Sequence, residues 1–322
     1  MSVAIAEKRY LGTADSLIAG LAVLGMMALL AAPGPVRAQD PAADSAPEVA
    51  EDAAVDVSGP VERFFIRSTG DAGMLAQRYP HLAVWLEPDG APRVLALVEP
   101  EAVSPARGAA VILADEGQSA NHALVEVLRR QLTEAGWAAL SLGNDELSPS
   151  LLLARQRLAV DARASDEQVD GQDQPVMIDV NDQAAEDLVA AHQAEMNARL
   201  DAAVSWSRGQ GYESVMLIGI GRGAADISRY LPLAPEAVSR MVWITPRFEN
   251  RTPDELVSVL AASAVPVLEL YPSKATDVAQ RRAAFRRAGR PGFEAVPVPL
   301  RSNEVHRHGV AIASRLIGWA AD

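Results

Sequence analysis

The chain has no cysteine, which removes disulfides, thiolate nucleophiles, cysteine-ligated zinc and lipoprotein acylation together. Any chemistry has to use oxygen or nitrogen groups. Basic residues are also scarce: 29 Lys and Arg face 42 Asp and Glu, leaving a net charge of −13. Binding to nucleic acid needs clustered Lys and Arg at the phosphates, so no nucleic-acid partner is expected. Beyond residue 32 no uncharged run reaches membrane-spanning length, so no stable span is expected once a leader is removed. What is plentiful is apolar side chain. With 322 residues, 49% of them hydrophobic, the chain can bury the core of one large domain, and global disorder is excluded.

Residues 1–38 read as a signal peptide. Lys8 and Arg9 precede the apolar stretch Leu17 to Ala32, and Pro33, Gly34 and Pro35 break the helix before Val36-Arg37-Ala38. The small side chains of Val36 and Ala38 suit cleavage after Ala38. The apolar helix spans about 24 Å at roughly 1.5 Å per residue, short of the ~30 Å hydrocarbon core. The expectation is an exported, periplasmic protein. Residues 39–59 follow as an acidic linker with no base, too polar to order itself.

The domain begins near residue 60. Leu82 to Leu86 and Val94 to Val98 flank Pro88-Asp89-Gly90, a turn signal that predicts an antiparallel hairpin. Further strands are expected at Ala109 to Ala114, Trp137 to Leu142, Val215 to Gly219, Met241 to Thr245, Val265 to Tyr271 and Phe293 to Val298. Helical patterns lie near 120–135, 184–208, 223–231, 253–262, 276–288 and 307–321. Short unbroken apolar runs between amphipathic helices predict an α/β fold: a mostly parallel eight-stranded sheet with helices on both faces. Residues 161–182 interrupt the rhythm with seven acids and one Arg, and read as an acidic insertion, either disordered or a functional lid. The five tryptophans fall in strand or helix patterns and are expected in the core.

The order hairpin, strand, helix, strand, excursion, strand, Gly-rich turn and helix resembles an α/β-hydrolase. Several strings are similar to an exported α/β-hydrolase-like family known as domain of unknown function 3530. They are Val84-Trp85-Leu86-Glu87, Val94-Leu95-Ala96-Leu97, Gly108-Ala109-Ala110-Val111-Ile112-Leu113, Leu128-Arg129-Arg130 with Ala135-Gly136-Trp137, and Leu316-Ile317-Gly318-Trp319. The resemblance covers roughly 60–322 and rests on their order and spacing.

In such a fold the turn after the central strand reads Gly-x-Ser-x-Gly, with small neighbours around a strained nucleophile. Here it reads Gly219-Ile220-Gly221-Arg222-Gly223, so the resemblance puts Gly221 in the nucleophile position, where no side-chain oxygen can attack. It implies an acid after the seventh strand, where Asp277 is available, although Asp277 also suits the start of the next helix. It implies a base before the last helix, where His306 and His308 stand in Val305-His306-Arg307-His308; a two-His metal site lacks a carboxylate partner beyond Glu304. Oxyanion donors are implied at Gly117 and Gln118, in a loop where Asp115 and Glu116 bring unfavourable negative charge and Ser119 or Asn121 can cap the next helix. Ser119 is a displaced nucleophile only if a base reaches it.

Gly219-x-Gly221-x-x-Ala224 also fits the loose dinucleotide fingerprint. At least two strands precede it and the next strand ends Ile244-Thr245-Pro246 with no ribose-binding acid, so no cofactor is expected. The turn still offers Arg222 and the Gly223 amide to an anion, unless Arg222 pairs with Asp226 one turn on. The leading expectation is a non-catalytic protein of the cell envelope, binding or scaffolding a small molecule or an envelope protein. The alternative is an ester hydrolase using His306 or His308 to activate water, and a third class docks a partner through 161–182.

Overall fold

Val, Ile and Leu runs of four to nine residues build the sheet. The computed structural model describes residues 70–167, 180–248, 252–261, 263–298 and 305–321. The segments expected to be a signal peptide and a linker lie outside them, and every described residue falls in the unit Phe64–Asp322. Helix α1 (Gly70–Arg78) precedes the hairpin β1 (Ala83–Leu86) and β2 (Val94–Glu99), whose register pairs Trp85 with Leu95. Then come β3 (Gly108–Glu116), α2 (Ala123–Glu134), β4 (Trp137–Asn144), α3 (Pro149–Glu167) and α4 (Val180–Gly209). The chain continues through β5 (Val215–Ile220), α5 (Gly223–Tyr230), β6 (Arg240–Ile244), α6 (Pro253–Leu260), β7 (Val267–Pro272), α7 (Val278–Arg287), β8 (Phe293–Val298) and α8 (Gly309–Trp319).

The strands form one sheet in the order β1-β2-β4-β3-β5-β6-β7-β8. β2 runs antiparallel to both β1 and β4, and every pairing from β4 to β8 is parallel. The eight-stranded, mostly parallel α/β sheet with its N-terminal hairpin is the architecture expected from the sequence. Alternate residues of each strand serve opposite faces. Val111, Leu113, Leu217 and Trp243 meet α4, α5, α6 and α7 through Leu200, Ile227, Leu256 and Phe285. Ala110, Ile112, Ile218 and Val242 meet α2 and α8 through Leu128 and Leu316. Because α2 leaves β3 on one face and α5 leaves β5 on the other, a crevice opens at the carboxyl ends of these adjacent strands. Open parallel sheets place their sites at such a point.

Three expectations change. Residues 161–167 and 180–182 are helical rather than loop, because α3 and α4 pair with each other and bury Leu151, Ala154, Ala185 and Met196; residues 168–179 lie outside the description. Trp85 is 39% exposed instead of buried, since it sits on the edge strand with the Arg93 guanidinium 4.6 Å above its ring. Helix α2 starts after His122 with no side-chain cap: Asn121 instead bonds Tyr79 and Arg129. Among the described residues no helix is long and apolar enough to cross a membrane.

Candidate functional site

Three glycines shape the turn from β5 into α5. A Cβ at Gly219 would stand 2.6 Å from the Ala224 backbone, and one at Gly223 would stand 2.7 Å from the Ala114 carbonyl. Both are below any real contact, so β3, β5 and α5 approach this closely only because these side chains are missing. Between them Gly221 adopts φ 55°, the left-handed region. Its N–H donates to the Ile244 carbonyl and its own carbonyl accepts the Arg247 N–H, both at 2.9 Å, which ties the turn to the end of β6. Thr245, just past β6, also has positive φ, 46°, and turns the chain so that Arg247 returns to the crevice.

The space above Gly221 is filled. A Cβ built on Gly221 would overlap the Asp115 carboxyl group, which arrives from the end of β3. The β3 register shifts between Leu113 and Glu116, and that irregularity aims Asp115 inward. Asp115 Oδ1 accepts three donors: the Glu116 N–H at 2.8 Å, the Arg222 N–H at 2.9 Å and the Arg247 guanidinium at 2.5 Å. In a hydrolase of this fold, the amide after the nucleophile and an amide of the β3 loop are the pair that receives a developing oxyanion. Here one carboxylate oxygen of the chain itself takes both.

The amides expected as oxyanion donors are used elsewhere. The Gly117 N–H donates to the Asn144 carbonyl at 2.9 Å, the Gln118 N–H to the Asp115 carbonyl at 3.0 Å, and the Asn144 N–H to the Gln118 carbonyl at 2.9 Å. This ladder holds the β3 loop against the end of β4. Gly117, at φ 75°, makes the loop turn there. Arg222 pairs with Glu116 at 2.8 Å rather than with Asp226 one turn on. Asp226 is buried and bonds Arg229 at 3.1 Å and the Asn144 side chain at 3.5 Å. Burial pushes the Asp226 carboxyl up from its ordinary range, and Arg229 and Arg155 oppose the shift.

The other implied triad members do not converge on this turn. Asp277 occupies the N-cap position of α7 without a capping bond, and its 57% exposed carboxylate pairs with Arg281, which reaches down to the fully buried Glu269. His308 occupies the N-cap position of α8, where Gly309 lies against Val127 and Leu124 of α2. The His306 side chain lies outside the description. Among the described residues no hydrogen bond or ion pair joins Asp277, His308 and the Gly221 turn, and no group of three metal-ligating side chains forms. Sequence reasoning missed Arg247 and Arg155; the only local signal for either was a basic side chain near a strand end or helix face.

Solved structures with a similar fold include dienelactone hydrolase from Anabaena variabilis, at 16% identity and TM-score 0.45, covering 74% of this chain and 94% of that one. They include an esterase of Pyrococcus furiosus, at 11% identity and TM-score 0.49, covering 73% and 88%. They also include Est1E from Butyrivibrio proteoclasticus, at 11% identity and TM-score 0.43, covering 74% and 99%. A comparison with curated proteins finds no match. The family described as protein of unknown function, DUF3530, matches residues 20–322, and the chain belongs to that family.

Proposed function

We propose that the chain is an exported, periplasmic protein that keeps the α/β-hydrolase scaffold without its serine mechanism and serves as a binding or scaffolding component of the envelope. One observation carries the reading. The Asp115 carboxylate fills the volume above Gly221 that a serine side chain would need, and it holds the two amides that a tetrahedral intermediate would need. Without a hydroxyl at 221 no acyl-enzyme forms there, and a fixed negative charge repels the oxyanion that any acyl transfer would develop. Signal-peptide and linker composition in residues 1–59 supports export.

The test is turnover of short acyl nitrophenyl esters by purified protein, together with labelling by a fluorophosphonate probe. No labelling and no turnover above buffer are expected. Genuine turnover that disappeared in a His306→Ala, His308→Ala double variant would overturn the reading in favour of a histidine-activated water. For export, the mature N-terminus is expected at Gln39; a chain isolated with Met1 intact would contradict it.

A further inference from the structure

The hairpin and helix α4 border a cavity of about 450 Å³ at the β1 edge of the sheet, within the range of about 300–1,000 Å³ that holds small molecules. One wall is Trp85 on β1, with Glu87 and Asp89 just beyond it. The other is a face of α4 on which Ala198, Asp201, Ala202 and Trp206 recur at helical spacing. The small alanines leave room beside the hairpin, so the indoles of Trp85 and Trp206 line one space. Trp85 is 39% exposed while the adjacent Leu86 is buried. The Arg93 guanidinium stands 4.6 Å from the centre of the Trp85 ring, so this indole already attracts a cation, and Arg93 itself does not line the cavity.

Three carboxylates, those of Glu87, Asp89 and Asp201, line the same space, and among the described residues no basic side chain does. Glu87 and Asp89 make no side-chain hydrogen bond or ion pair among the described residues, and Asp201 uses only Oδ1, which accepts the Tyr230 hydroxyl at 3.1 Å. Elsewhere on this surface acids are answered by arginines: Glu99 by Arg129, Asp145 by Arg199 and Asp254 by Arg287. Two indole rings, an apolar floor and an unbalanced negative charge complement an organic cation. Its charge meets the carboxylates and the ring faces, while its alkyl groups displace water from Leu86 and the alanines. A neutral sugar would also stack on the rings, but it would leave the negative charge uncompensated.

We infer that this cavity binds a small soluble organic cation that carries an ammonium group on an apolar body. The inference goes beyond the non-catalytic reading and does not depend on it, because β2, β4 and β3 lie between β1 and the β5 strand that leads into the Gly221 turn. The experiment is isothermal titration calorimetry of the full mature chain with choline, with its neutral isostere 3,3-dimethylbutan-1-ol and with glucose, at fixed ionic strength. Choline is expected to bind with a Kd of roughly 1 mM or tighter, the isostere about tenfold more weakly or worse, and glucose with no heat of binding. Raising sodium chloride from about 50 to about 500 mM is expected to weaken choline binding about threefold or more, because partly exposed charges are screened. Trp85→Leu keeps an apolar side chain and removes the ring, for an expected loss of about fivefold or more in choline affinity. Glu87→Gln combined with Asp89→Asn changes two exposed side chains and keeps the turn, where Asn serves as well as Asp. That variant is expected to weaken choline about fivefold with Tm unchanged, and it decides the matter if Trp85→Leu does not fold. No saturable heat from choline, equal affinity for the isostere, binding of glucose alone, or wild-type affinity in the variants would overturn the inference.

Discussion

Gly221 and Asp115 define each other: glycine at φ 55° leaves the volume, and the carboxylate takes it along with the Glu116 and Arg222 amides. Gly221→Ser therefore has to accept a left-handed backbone and displace Asp115, and is expected to lose about 2–4 kcal/mol in urea unfolding. Asp115→Ala strands two amide donors and the Arg247 guanidinium, an expected loss of about 1–3 kcal/mol. The two changes should couple. In the double variant the serine meets no carboxylate, so the combined loss is expected to fall short of the sum by about 1–3 kcal/mol, measured as a double-mutant cycle. Strict additivity would show that the overlap above Gly221 is relieved some other way. The glycine at 221 was readable from the sequence, and so was the acidic character of the 115–116 pair. That one carboxylate oxygen accepts from both amides was not readable, because those donors lie 107 positions apart in one case and adjacent in the other.

Among elements, the β5–α5 turn is held by close approach rather than by side-chain bonds. Gly219→Ala puts a methyl group 2.6 Å from the Ala224 backbone, and neither β5 nor α5 can give way; a loss of about 3 kcal/mol or failure to fold is expected, followed by far-UV circular dichroism on urea titration. The α7 region gives a contrasting case. Glu269 on β7 is fully buried and held by Arg281 at 2.5 and 3.0 Å, so Glu269→Ala leaves a buried guanidinium and is expected to cost about 3–5 kcal/mol. Asp277→Ala removes only the exposed end of the same chain of contacts, and a change below about 1 kcal/mol is expected. The contrast marks Asp277 as the outer end of a structural ion-pair chain. The periodicity of strands and of α2, α4 and α5 was legible because each buries one face. Helix α3 was not, because its sequence mixes charge around its whole circumference and its register is set by packing on α4.

For the whole molecule, acidity matters most where it is buried. Burial raises the Asp226 carboxyl above its unfolded value, so the folded state holds that proton more tightly. The contribution of Asp226 to stability is then greatest below the unfolded pKa of about 3.9 and is lost as pH rises from there through the raised folded value. Replacing it with the uncharged isostere, Asp226→Asn, is expected to flatten that part of the Tm–pH curve, while an unchanged slope would assign the titration to other groups. The sequence by itself determined the strand alternation, the helix faces, the Gly-rich turn and the absence of a hydroxyl at its apex, because these depend on local periodicity and on single side chains. Only the tertiary structure decided what fills the crevice. β3 and β5 are adjacent in the sheet although about a hundred residues separate them along the chain, and that adjacency brings Asp115 to Arg222, with Arg247 joining from beyond the end of β6. No spacing along a chain encodes which of several acids and arginines meet after such a crossover.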